Sequence, residues 1–81
     1  MKIITEKHAQ QELIQIKWYI AQDSEFYANR TVNEINKRID NLLLFPEMGK
    51  VINEKRDIRQ IIYKSYKILY EFDSENIYIL H

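Results

Sequence analysis

The period of apolar residues changes once along this chain, and the change divides it in two. Lys2, Ile3 and Ile4 form a short opening that predicts a strand. Thr5 then reads as an N-cap, with Glu6 in the first turn, where the helix dipole favours an acid. Ala9, Leu13, Ile16, Tyr19 and Ile20 follow as a helical stripe, predicting a first helix that ends near Asp23. Ser24 is the next N-cap. Ala28, Val32, Ile35, Ile39, Leu42 and Leu43 then keep a cleaner helical period with polar residues between them. The link between the two helices is about two or three residues, which predicts an antiparallel hairpin. Pro46 and Gly49 terminate the second helix.

Beyond Gly49 the period falls from about 3.6 to about 2. Residues 58–63 predict a strand, Lys64 and Ser65 a two-residue turn, and residues 66–72 a second strand. Residues 73–76 carry turn chemistry, and residues 77–81 predict a third strand, inside which the chain stops. The fold class is α+β: a short N-terminal strand, an antiparallel helix hairpin, then a three-stranded antiparallel meander with both helices on one sheet face. No repeat, low-complexity run or interdomain linker interrupts it, so residues 1–81 are expected to form a single domain, near the lower size limit for a self-sufficient core.

With the turn at Lys64 and Ser65, Tyr63 faces Tyr66, Ile61 faces Ile68 and Arg59 faces Tyr70. One face then carries Arg59, Ile61, Tyr63, Tyr66, Ile68, Tyr70 and Phe72, joined by Ile77, Ile79 and His81. It is the larger and more aromatic set and is expected to bury against the helices. The other face carries Ile58, Gln60, Ile62, Lys67, Leu69, Glu71, Tyr78 and Leu80. It is half apolar, which points either to a partner site or to cover from the final segment of a longer chain. Arg59 falls on the helix-facing side. Burying an unpaired charge is costly, so it is expected to pair with a helix carboxylate or a carbonyl.

Charge adds one feature to a neutral chain. Residues 1–49 sum to −1, residues 50–67 to +4 and residues 68–81 to −3. The basic segment is a nucleic-acid patch or, the favoured reading, one solvated edge. The chain has no cysteine, hence no disulfide and no thiolate metal site, and a reducing cytoplasm is the default. No signal peptide or membrane span is evident. His8 and His81 are too far apart in sequence to make a recognisable ligand motif, so no metal or cofactor is expected. His8 reads as a surface residue and Trp18 as a packing or interface residue. No phosphate loop, acid pair or nucleophile triad is present.

In this order the residues resemble the ParE/RelE superfamily of bacterial toxins from type II toxin–antitoxin modules. The resemblance is carried by Ala9, Leu13, Ile16, Tyr19 and Ile20 in the first helix, and by Ser24 opening the second. Pro46, Gly49 and Lys50 follow, then Arg59 and Ile61, then Tyr66, Lys67, Ile68 and Tyr70. It covers essentially the whole chain and is closer to the ParE-like branch. It implies a cognate antitoxin partner, and DNA gyrase as the target of a toxin that acts by binding. RelE-like members resemble ribosome-dependent mRNA endonucleases, with several basic residues on the open sheet face and an Arg and often a Tyr near the C-terminus. Here Ile58 and Gln60 stand where those enzymes place lysines, and only Lys67 remains, in place of an arginine. The C-terminal Arg and Tyr positions would lie beyond His81, so truncation there is an open expectation. A pI of about 6.7 also suits ribosomal RNA poorly.

The expectation is therefore a growth-arresting, plasmid-stabilising toxin without enzymatic activity. An mRNA endonuclease using Lys67, with the ribosome and mRNA as partners, is the alternative; a degenerate member that only binds antitoxin is a third. Ile58, Gln60, Ile62, Lys67, Leu69, Tyr78 and Leu80 are the candidate partner-binding residues. Arg59, Tyr66, Tyr70, Pro46 and Gly49 are assigned structural roles. A homodimer and a toxin–antitoxin hetero-oligomer both stay open.

Overall fold

Residues 1–81 are described by a computed structural model, and the two sequence periods become two layers. The elements are β1 (Lys2–Thr5), α1 (Lys7–Ala21), α2 (Glu25–Asp40), a 3₁₀ turn (Asn41–Leu43), β2 (Lys50–Asn53), β3 (Ile58–Tyr63), β4 (Tyr66–Phe72) and β5 (Asn76–Ile79). The sheet order is β1-β5-β4-β3-β2. β1 lies parallel to β5, and the other neighbours are antiparallel. The helix hairpin covers one face. The α+β class, the hairpin and the meander are as the sequence predicts.

The central register also follows the prediction. Arg59 pairs with Tyr70, Ile61 with Ile68 and Tyr63 with Tyr66. Lys64 takes the left-handed φ of 54° that a tight hairpin turn needs. Ile68, Tyr70, Ile77 and Ile79 then meet Ala9, Ile35, Ile39 and Leu42 from the helical layer in one buried cluster. Ser24 caps α2, its hydroxyl accepting from the Tyr27 amide at 3.2 Å.

Five details differ from the sequence reading. β2 was not expected. It spans four residues at the sheet edge, and the ladder slips between Val51 and Asn53, so too little alternation survives to mark a strand. Thr5 is not an N-cap. It ends β1 opposite Ile79, the parallel ladder outcompeting the helix for its backbone. α1 stops at Ala21, short of Asp23. Tyr19 stands 74% exposed, about 100° round the helix from Ile20 and outside the packed stripe. β5 ends at Ile79 because both Leu80 and His81 hydrogen-bond across to Leu69, the two-against-one count of a β-bulge.

Candidate functional site

The inward sheet face holds its two most polar residues against a loop. The Tyr70 hydroxyl is fully buried, donates to the Pro46 carbonyl at 2.7 Å and accepts from the Gly49 amide at 2.9 Å. Burial pushes the Tyr70 phenol above its ordinary value of 10.0, partly offset by the Gly49 amide and the nearby Arg59 guanidinium. A Cβ on Gly49 would sit 2.6 Å from that hydroxyl and 2.7 Å from the ring, so the close approach excludes every side chain there.

Arg59 completes the clamp. Its Nη1 donates to the carbonyls of Glu47 at 2.9 Å and Gly49 at 3.0 Å, and its guanidinium lies 5.8 Å from the Phe72 ring centre. Its ionic partner is Asp57, 3.8 Å away in the β2–β3 connection, not a helix carboxylate. The Arg59 Nε is the one buried side-chain nitrogen or oxygen without a hydrogen bond. Arg59, Tyr70, Pro46 and Gly49 are thus brought together. Tyr66 is not part of this clamp: it lines a cavity of about 320 Å³ between the hairpin and the sheet, with Leu13, Ile16, Ile35 and Ile39.

The face away from the helices carries the candidate partner-binding residues. Gln60 and Lys67 flank an apolar strip of Ile62, Leu69 and Leu80, with Tyr78 beside it. Ile62 is 54% exposed, while Leu69, Tyr78 and Leu80 are half-buried and Ile58 is buried. The basic segment disperses. Arg59 turns inward, Lys64 sits at the turn over the Tyr63 ring, and Arg56 pairs with Glu71 at 3.6 Å. Lys67 remains on the open face, with Lys50 at its β2 edge opposite Gln60.

Two features escaped the sequence. Large apolar side chains stand exposed on the helix hairpin as well: Ile14, Trp18, Tyr19, Phe26 and Tyr27, with Trp18 at 68%. Periodicity found the helix faces that pack, and of the outward side chains Trp18 alone reads as packing or interface. The second feature is a cluster of His8, Glu12 and His81, whose side-chain ligand atoms lie within 4.8 Å of one another. Sequence distance hid it, although the four-residue step from His8 to Glu12 was visible.

A family model described as the ParE toxin of type II toxin-antitoxin system, parDE, matches residues 3–81. The chain belongs to the ParE toxin family. No curated protein matches it. Membership makes it the toxin component of a type II toxin–antitoxin pair, and an antitoxin is the partner that such a toxin implies. The clamp falls on residues that carried the family resemblance, so in this ParE-family chain they meet backbone rather than solvent. No helix is long and apolar enough to cross a membrane.

Proposed function

We propose that this ParE-family toxin acts by binding rather than by catalysis, with DNA gyrase as its target in the cytoplasm, and that its single domain presents the open sheet face to the antitoxin. The observation that carries this reading is the composition of that face. Ile62, Leu69, Tyr78 and Leu80 form an apolar strip, and Lys67 is the one cation among the central strands without an acidic partner there. RelE-like endonucleases set several cations around one phosphate, which orients the 2′-hydroxyl and stabilises the charge that develops. Apolar strips of this kind gain from being covered.

The target is tested by inducing the toxin and trapping covalent gyrase–DNA complexes. Gyrase-linked breaks should accumulate, and the purified chain should depress supercoiling. Normal supercoiling at saturating toxin contradicts the proposal. Cleavage of ribosome-bound mRNA, abolished by Lys67→Ala, would instead establish the endonuclease alternative.

The exposed hairpin aromatics support a second reading of where the antitoxin docks. Ile14, Trp18, Phe26 and Tyr27 are each fractionally more exposed than Ile62, the most exposed residue of the strip. Binding that survives charges on the sheet but fails on Trp18→Asp would place the antitoxin there.

A further inference from the structure

His8 and Glu12 sit four residues apart on α1 and so project from the same side of the helix. His81 reaches them from the far end of the chain, 69 residues beyond Glu12. Nε2 of His8 lies 3.2 Å, and Nδ1 of His81 3.1 Å, from the same Oε1 of Glu12. The two imidazoles meet edge to face with centres 4.8 Å apart. We propose that His8, Glu12 and His81 form a binding site for a borderline divalent cation of the zinc type, which clips the first turns of α1 to the end of β5.

The donor set fits this class of ion. Two imidazole nitrogens and one carboxylate oxygen suit zinc, cobalt, nickel or copper, whereas calcium and magnesium require an oxygen shell. In a tetrahedral site with bonds of about 2.0–2.1 Å, ligand atoms sit about 3.3 Å apart. Both histidine–glutamate separations already match that spacing. Small rotations about the imidazole side chains, both exposed to solvent, bring the histidine nitrogens to the remaining edge. Each ligating imidazole then keeps its proton on the other ring nitrogen, Nδ1 of His8 and Nε2 of His81. Three protein ligands leave a fourth position for water. Glu12 and His81 also line the cavity beneath the hairpin, so the site lies at its mouth.

The backbone holds both halves in place before any ion binds. The Glu6 amide donates to the Ile79 carbonyl at 2.9 Å, tying the start of α1 to β5. The bulge opposite Leu69 pins Leu80 and His81: the Leu80 amide donates to the Leu69 carbonyl at 2.8 Å, and the Leu69 amide to the His81 carbonyl at 3.2 Å. The same pairing holds His81 on the helix side of the sheet, where it meets Glu12. A site assembled by the fold loses little ordering entropy when the ion arrives.

Cobalt(II) titration of the full chain, purified without a histidine tag, tests the proposal. The wild type should develop the visible absorption of four- or five-coordinate cobalt at one equivalent, and zinc should bleach it by displacement. His8→Ala, His81→Ala and Glu12→Gln should each weaken binding by about 10–100-fold or more, since even an outer-shell partner is worth that much. All three positions are outside the buried core, so circular dichroism should show folded variants. The double variant His8→Ala/His81→Ala should give no spectrum. Magnesium should neither displace cobalt nor raise the melting temperature. Absence of the spectrum in folded wild type, or its persistence in the folded double variant, overturns the proposal.

Discussion

The Tyr70 hydroxyl donates to one carbonyl and accepts from one amide, and both partners belong to the loop that follows α2. Replacing Tyr70 with Phe keeps the ring and removes both bonds. The Pro46 carbonyl and the buried Gly49 amide are then left unpaired, a loss of about 1–3 kcal/mol. Urea denaturation of Tyr70→Phe should show that loss as a lower midpoint at unchanged slope. The same residue makes a prediction in pH. Its phenol is raised above 10.0 in the fold, first by burial. Below that value Tyr70 is neutral in both folded and unfolded chains, so it adds no pH dependence. Above it the unfolded chain releases the proton first, and stability falls until pH passes the raised folded value. Alkaline melting curves should therefore be less steep in pH for Tyr70→Phe than for the wild type.

Among the elements, α2 is the best specified locally. Ser24 caps it, Glu25 lies in its first turn, and Lys37 and Arg38 lie in its last, each complementing the helix dipole. Ser24→Ala should cost about 0.5–2 kcal/mol, read by thermal or chemical melting. α1 has no side-chain cap and relies on β1 and β5 for its start. At the opposite end of β5, in the turn from β4, Asp73 accepts from the Glu75 and Asn76 amides at 2.8 Å, and those bonds, Asn76 first, hold its carboxyl below the usual 3.8. Its contribution is present above that value and fades as pH falls through it, so Asp73→Ala should flatten the acid limb of the stability profile. These local signals explain what could be read in advance. Turn residues and alternation set the β3–β4 register, because a one-residue slip would expose the whole buried set. β2 and the bulge at Leu80 and His81 could not be read, because both depend on hydrogen bonds to strands that the local pattern does not name.

The whole molecule is a two-layer scaffold whose polar inward residues hold a loop and whose open face is half apolar. The division of the sheet into faces was legible, since it follows from alternation and one turn. The partners of Arg59 were legible only as a requirement for pairing. That the partners are the Glu47 and Gly49 carbonyls follows from where the loop lies, which no periodicity encodes. The His8–Glu12–His81 cluster was hidden for the same reason, being a product of assembly between distant segments. The sheet's open face is the surface proposed to bind the antitoxin. Isothermal titration of the cognate antitoxin against the folded variants Leu69→Asp and Ile62→Asp tests it most directly. A carboxylate forced into a desolvated contact should weaken binding by about tenfold or more, since about 1.4 kcal/mol already gives that factor. Unchanged affinity in both variants, alongside loss in Trp18→Asp, would contradict the claim and move the interface to the helix hairpin.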